Sequence, residues 1–527
     1  TYPVLGGDKV KKSIIKIEQL MAQGNIKKAE KSNEKLLVTL KKSSNQSHQY
    51  QYGLAIIRKG CINAFQYGQK SKFEHFLKQG SKHIETKFKK ESPEFISAQI
   101  MVGEAYFGAG FYHDAVLKLQ EIEAAKSVKL TQESTEAFTF FKLKLYRVIG
   151  DYNKALKFSE EVLINLKKEN SQNSAYHSAV LNYEGALLLD KGEYKKAYEI
   201  LNAALDEINS SVGKHSLLYA DNSYIFADYY MQQNEPDVAL SLLEDAYAVS
   251  KNEKYPMFYS QFSTTRESVY ADFSMLLEVM NQGKYALDVM KEYLKTTKKY
   301  TGKGTFYSQR KHYYLLKNSM FGADYESVIS EVARIRLEEK ELCGTAFFDA
   351  QLQELVLDCN YALSNFTEAE KSLNSLAKIY LITYGENTLH SYGIQLDLAR
   401  LYAIELHDFK RAIVTFKSDA YIKMSDQLTL SHEDMIYYNE VLAEVYVGLE
   451  EVYKAKDVLT PQLEYLESYY YEDDKNGMLP KLYVKYAEVL VATGDYKEAG
   501  EYLEKAQLMY DEIYHDVADY EDRLKII

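Results

Sequence analysis

Residues 150–155 read Gly-Asp-Tyr-Asn-Lys-Ala, and residues 192–197 read Gly-Glu-Tyr-Lys-Lys-Ala. A glycine can take the left-handed conformation that ends a helix. The aromatic residue two places on can pack back over the helix just ended. The alanine three places beyond that is small, as a second helix crossing closely over the first requires. The same pattern recurs at Gly24-Asn25-Ile26 with Ala29, at Gly110-Phe111-Tyr112 with Ala115 and at Gly494-Asp495-Tyr496 with Ala499. Weaker copies turn at Ser71, Asn234, Gly283, Ala323, Ser364, His407 and Glu450. About twelve turns therefore fall between residues 24 and 494, with a mean spacing of about 43 residues. Upstream, Gly103 and Tyr106, Ala227 and Tyr230, and Ala443 and Tyr446 hold matching places on the first helix; downstream, Ala204, Ala246 and Ala506 sit on the second. Small and large residues alternating at helical spacing predict interlocking helix pairs.

The composition agrees. Only 6 prolines and 25 glycines occur in 527 residues, too few for a β-sandwich or barrel built on many tight turns. Tyrosine, at 48 against 22 phenylalanines and no tryptophan, suits half-buried helix faces and interfaces. The predicted class is all-α, a right-handed α-solenoid of about twelve stacked helix-turn-helix repeats. No run of 18 apolar residues is present, so no spanning helix is expected. The three cysteines, Cys61, Cys343 and Cys359, form no Cys-x-x-Cys pair and read as core residues.

Four regions follow. Residues 1–90 form a basic end of helical hairpins, with 19 Lys/Arg against 6 Asp/Glu in a chain whose net charge is −12. Residues 91–250 form a regular array. Residues 251–258, a polar stretch with Pro256, read as a loop and a joint between two halves. Residues 259–527 continue the array and are acidic. The basic end predicts a solvated helix face, or one turned toward the acidic remainder; phosphates, acidic lipid and acidic partners are the other readings.

The small-aromatic-glycine-aromatic-alanine pattern resembles the tetratricopeptide repeat family, over nearly the whole chain but least well in residues 40–90 and 250–345. The spacing is longer than the family's usual repeat. It resembles the subtype found in kinesin light chains and in many bacterial signalling proteins, whose Gly-x-x-His-like segment leads into the next repeat. The counterparts here are Tyr384-Gly385-Glu386-Asn387 with His390 and Tyr392, Gly213-Lys214-His215 with Tyr219, and Ser431-His432-Glu433 with Tyr437. Histidines in such linking segments are expected to cap helices. The resemblance implies that the first helix of each repeat lines a concave groove. Carried over by position, it nominates Phe140, Lys144 and Arg147, then Asn182, then Tyr224 and Asp228, then Arg310 and Tyr313 as partner-binding residues. Tyrosine and arginine often dominate interface energetics. No set of basic residues and asparagine fits the clamp by which some relatives hold a terminal carboxylate.

Signatures of chemistry are missing. Gly302-Lys303-Gly304-Thr305 lacks the spacing of a phosphate loop, and the acidic loop at 472–477 has Tyr483 where a calcium loop needs glutamate. His432-Glu433 does not continue into a zinc motif, and no Gly-x-Ser-x-Gly turn appears. The expectation is a non-catalytic scaffold or adaptor for other proteins or peptides, possibly within a larger bacterial assembly. It calls for no cofactor, metal or small-molecule substrate. The alternative is a sensor or regulatory array belonging to a larger signalling protein with a catalytic domain. Nucleic-acid binding by the basic end ranks third, because base-stacking motifs are absent. No signal peptide is visible, and the start at Thr1 suggests a removed leading segment. Composition leans toward an exported bacterial protein, with the cytoplasm as the alternative compartment.

Overall fold

The computed structural model describes residues 8–125, 128–169, 174–251, 265–301, 313–317, 319–320, 323–338, 346–470 and 477–514. All regular structure among them is helical, in antiparallel hairpins. The first six are Asp8–Ala22 with Ile26–Lys41, Gln46–Tyr67 with Lys70–Lys87, Pro93–Gly108 with Tyr112–Ala124, Gln132–Ile149 with Tyr152–Lys168, Ala175–Lys191 with Tyr194–Ser211, and Leu217–Gln232 with Pro236–Ser250. The seventh is Arg266–Val279 with Gly283–Thr301. The eighth has residues 313–317 in its first helix and Tyr325–Glu338 as its second. The ninth is Ala346–Ala362 with Phe366–Thr383. The tenth runs Leu389–Arg400, passes into a π-helical turn at Leu401–Glu405, and returns as Phe409–Phe416. A short helix, Asp419–Gln427, precedes the eleventh pair, Glu433–Gly448 with Val452–Tyr469, and the twelfth is Met478–Thr493 with Tyr496–Tyr514.

Each hairpin turns on one residue of positive φ: Gly24, Gly68, Gly110, Gly150, Gly192, Asn234, Asn281, Ala323, Ser364, His407, Glu450 and Gly494. Ten of these are the expected turn positions. The other two differ: Ser71 lies inside Lys70–Lys87, which begins after Gly68, and Gly283 starts a helix whose turn residue is Asn281. At most turns the backbone closes in the same way. Asp151 N–H reaches back to Tyr146 O at 2.9 Å and Glu193 N–H to Leu188 O at 2.8 Å, so carbonyls orphaned at the helix end find donors. Five residues beyond the turn the second helix buries an alanine in ten of the twelve hairpins; Phe73 and Val328 hold the place in the second and eighth. Ala29, Ala115, Ala155, Ala197, Ala369 and Ala455 are all 0% exposed. The next hairpin starts on a side-chain cap, for example Ser174 accepting from His177 N–H at 3.1 Å and Ser216 from Tyr219 N–H at 3.1 Å.

The hairpins stack into a curved array, and the array meets itself. One apolar core joins residues of the first four hairpins, such as Phe73, Met101 and Phe141, to Phe348, Tyr384 and Leu401 of the ninth and tenth. Along this seam the turns of hairpins three to five dock onto linking segments beyond hairpins nine to eleven. The Tyr112 and Tyr384 rings stack with centroids 5.2 Å apart, and the ideal Cβ position of Gly385 lies 2.5 Å from the His113 ring. His390 Nε2 lies 2.8 Å from Val148 O, and Asn153 donates to Gln427 Oε1 at 3.1 Å and Asp426 O at 2.7 Å. Thr429 donates its N–H and its hydroxyl to Lys191 O, both at 3.0 Å, and the Ser431 hydroxyl donates to Gly192 O at 2.7 Å. Lys195 N–H donates to the Tyr469 hydroxyl at 3.0 Å.

The expected joint at 251–258 lies outside the described residues apart from Lys251, as does the acidic loop at 472–477 apart from Gly477. Cys61 and Cys359 are buried thiols, as core residues should be; Cys343 lies outside the described residues. Among the described residues no helix is long and apolar enough to cross a membrane.

Candidate functional site

Along the seam lies a cavity of about 770 Å³, open to solvent and lined by residues of first helices, second-helix starts and linking segments. Its wall is built from two superhelical turns at once. Phe107, Tyr112, Lys144, Arg147, Tyr183 and Asp190 come from the first; Tyr380, Tyr384, His390, Asp397, Asp434 and Tyr438 come from the second.

The nominated residues separate into two groups. Phe140 and Asn182 are consumed by hairpin-to-hairpin packing. The Phe140 ring is buried against Tyr176 and Tyr183, both with centroids 5.6 Å away. Asn182 is 0% exposed; its amide donates to Asp221 Oδ2 at 3.2 Å and to Leu218 O at 3.4 Å, and its carbonyl accepts from Asn222 Nδ2 at 2.9 Å. These bonds tie the fifth hairpin to the sixth. A carboxamide suits this place because it offers a donor and an acceptor together.

Lys144, Arg147, Tyr224 and Asp228 form an electrostatic network with neighbours that positional reasoning did not nominate. Arg147 grips Asp190 with two nearly parallel bonds, Nε to Oδ2 at 2.5 Å and Nη2 to Oδ1 at 3.0 Å. Lys144 is buried, with Nζ 3.8 Å from Glu104 and 5.5 Å from the Phe107 ring centroid, and burial pushes its ammonium below the usual lysine range. The Tyr224 hydroxyl donates to Asp272, whose own carboxyl is raised by burial. Asp228 remains open to water but is surrounded by protein. That enclosure, then the nearby Asp190 charge, lifts its carboxyl to about 6, against the opposing pull of Arg147. Tyr313 is half-buried, its ring 5.2 Å from that of Tyr314 with Lys317 Nζ 5.9 Å above it. Arg310 lies outside the described residues.

The wall residues missed from sequence fall in two classes. Asp397 stands ten residues before the turn residue His407, the same offset as Phe140, Asn182 and Tyr224, so the rule already in hand could have found it. Burial lifts its carboxyl to about 6 although it accepts from the Tyr438 hydroxyl at 3.0 Å. Tyr384 and His390 are visible in sequence as part of a linking segment, but nothing local says what they face. Their rings stack at 3.7 Å. Burial lowers the His390 pKa, so the neutral imidazole donates its Nε2–H to Val148 O, and the histidine is a seam residue rather than a helix cap. His432 does cap its helix, with Nδ1 accepting from Asp434 N–H at 3.1 Å. Among the described residues no group of three His, Cys, Asp or Glu is placed to hold a metal ion.

The raised carboxyls have a consequence for stability. An aspartate whose folded pKa exceeds its unfolded value binds more protons when folded, so stability falls as pH rises from about 4 to about 6 and then levels off. Asp228→Asn is therefore expected to raise the melting temperature at pH 7.5 and to leave it unchanged at pH 4. A thermal melt at each pH checks this; equal effects at both would show that the Asp228 charge is not penalised by the fold.

Tandem hairpins, each turned on a left-handed residue and ten of the twelve burying an alanine five places later, define a helical-hairpin repeat protein. A family model described as tetratricopeptide repeat matches residues 176–252, the fifth and sixth hairpins. Residues 176–252 thus carry tetratricopeptide repeats, and the helical hairpins on either side continue the same fold. No curated protein sequence matches the chain. Among solved structures it is similar to a Rap protein complexed with competence and sporulation factor, at 14% identity over 80% of this chain and 99% of that one, with a TM-score of 0.42. It is also similar to a putative kinesin light chain from Podosopora anserina, at 15% identity over 39% and 95% with a TM-score of 0.34. A third is the human IFIT1 dimer with m7Gppp-AAAA, at 14% identity over 79% and 90% with a TM-score of 0.38.

Proposed function

We propose that the protein is a non-catalytic interaction scaffold that holds a segment of a partner protein in the lumen of its superhelix. The observation carrying this reading is the cavity of about 770 Å³, walled by side chains from both superhelical turns and rich in tyrosine, with an arginine among them. Such side chains bring large contact area at low entropic cost. Of the nominated residues Lys144 and Arg147 lie in this wall, and Asp228 stands beside Arg147 and the wall residue Asp190; Phe140 and Asn182 keep the hairpins in register. A single segment touching both turns would report on the distance between them, which suits an adaptor that assembles only when its client is present.

The test uses the whole chain. Captured from native extract, it is expected to retain a protein that Asp228→Arg, which places a long cation in the lumen, releases. Recovery of the chain as a lone monomer, or of a partner indifferent to Asp228→Arg, would overturn the reading.

A further inference from the structure

The lumen's cations and its carboxylates are not in the same condition. Arg147 is committed to Asp190 through two bonds and Lys144 stands beside Glu104; Arg400, outside the wall, has its guanidinium 4.6 Å from the Tyr361 ring centroid. Asp228, which stands beside the wall residues Arg147 and Asp190 rather than in the wall itself, is different. It stands near Asp190, Asp272 and Glu433, and among the described residues no hydrogen-bond donor reaches it. Asp397 accepts one hydroxyl bond and faces Asp358 and Asp434 as well as Arg400. The lumen therefore carries negative charge that the fold leaves uncompensated.

A second observation points to a missing group. Tyr183 lines the cavity and is 1% exposed, yet its hydroxyl has no hydrogen-bond partner. A buried hydroxyl without a partner costs roughly 1–3 kcal/mol. Such a cost is recovered when a ligand brings an N–H or C=O to it, and a peptide backbone carries both. The tyrosine faces around the cavity favour a cation in addition, since a guanidinium or ammonium is drawn to the π-face. A cavity of about 770 Å³ has room for a short peptide segment but not for a folded domain.

We infer that the lumen takes a short cationic peptide, with arginine or lysine side chains meeting Asp228 and Asp397 and the backbone meeting the Tyr183 hydroxyl. This rests on the reading of the lumen as the interaction site and specifies what enters it. Because Asp228 and Asp397 hold protons up to about 6, a cation bound beside them displaces protons near that pH, and affinity weakens as the medium is acidified. The groups that set this titration are Arg147, Asp190, Asp272 and Glu433 around Asp228, and Arg400, Asp358, Asp434 and Tyr438 around Asp397.

The chain contains no tryptophan, so a tryptophan-tagged peptide can be followed by its own fluorescence anisotropy. The probes are a short acetylated peptide alternating arginine with alanine, its glutamate counterpart, and spermidine as a competitor. The arginine peptide is expected to bind saturably at pH 7.5 and the glutamate peptide at least tenfold more weakly. Asp228→Asn and Asp397→Asn should each weaken the arginine peptide about tenfold, while Asp288→Asn, on the exposed face of Gly283–Thr301, should not. Titration calorimetry at pH 6 should show protons released on binding. Far-UV melts confirm that each variant is folded. If the glutamate peptide binds as well as the arginine peptide, the cationic specificity is overturned and the lumen stands as a peptide site. Loss of binding in Asp288→Asn equal to that in Asp228→Asn would reduce the effect to general surface charge and overturn it too. Complete displacement by equimolar spermidine would overturn the peptide in favour of a free polyamine. If neither peptide binds, the inference fails, and whether the scaffold reading fails with it is decided separately by the capture experiment with Asp228→Arg.

Discussion

Gly192→Val is expected to part the second superhelical turn from the first while leaving the twelve hairpins folded. Gly192 has φ +90, a conformation that costs an L-residue about 1–2 kcal/mol and a β-branched one more. A Cβ there would lie 2.7 Å from Thr429 Oγ1 and 2.9 Å from His432 Cα, so the linking segment itself has to move. Overpacking of this kind costs roughly 1–3 kcal/mol. The displaced segment holds both bonds from Thr429 to Lys191 O and the bond from Ser431 to Gly192 O. Of the summed cost of about 2–5 kcal/mol, the backbone part stays in the turn of hairpin five and the overpacking part falls on the seam, because hairpin-to-hairpin packing runs through other faces. Small-angle scattering should show an expanded particle, and hydrogen exchange should show lost protection at residues 429–432 with hairpins five and eleven still protected. An unchanged scattering radius with uniform loss of protection would mean that the seam is not a separable element. Gly213, also of positive φ but with nothing within 4 Å of an added Cβ, is the control: valine there should pay the backbone cost alone.

Asn182→Leu is expected to break the array locally between the fifth and sixth hairpins, at a cost of about 2–4 kcal/mol. Asn182, Asp221 and Asn222 are all 0% exposed and joined by two direct bonds, and Asn222 is also held by Leu201 O at 3.1 Å. Leucine removes a donor to the Asp221 carboxylate and the acceptor of the Asn222 amide. The volume is nearly kept, so the loss is chiefly polar. In a stacked array the damage stays near its neighbours. Exchange protection should therefore fall in Ala175–Lys191 and Leu217–Gln232 and persist in Pro93–Gly108. Asn182→Asp separates charge from shape. It sets a second carboxylate beside Asp221, so it should be more damaging than leucine at pH 7.5 and much less so at pH 4.5. If the aspartate variant is equally stable at both values, the ladder is not electrostatic.

The turn series was legible because it depends on neighbours in the chain. Gly150 and Gly192 announce a left-handed residue, and Ala155 and Ala197 announce a close crossing. Where asparagine, serine, alanine, histidine or glutamate takes the left-handed place, as at Asn234, Ser364 and Glu450, spacing alone still located the turn. It failed by a few residues at Gly68 and Asn281, where the following helix begins without the usual aromatic two places on. The groove was legible only by offset. Offset cannot say whether a residue ten places before a turn leans into the lumen, as Asp397 does, or into the next hairpin, as Asn182 does. The difference lies in what the next hairpin presents: Asp221 and Asn222 stand ready to bond a carboxamide. The seam was not legible at all. It depends on small rotations summed over about six hairpins, and residues such as His390 and Val148 are 242 positions apart.

The seam also sets a timetable. An ordinary solenoid can settle hairpin by hairpin as it is synthesised, since each repeat needs only its predecessor. Here the carbonyls of Lys191 and Gly192 face their partners only after Thr429 and Ser431 exist, and Lys195 waits for Tyr469. At about 5–20 residues per second, roughly 12 to 55 s pass between the making of one edge and the arrival of the other. Through that interval the nascent first turn presents an open lumen and a bare edge, and the cavity that the finished molecule encloses does not yet have its second wall.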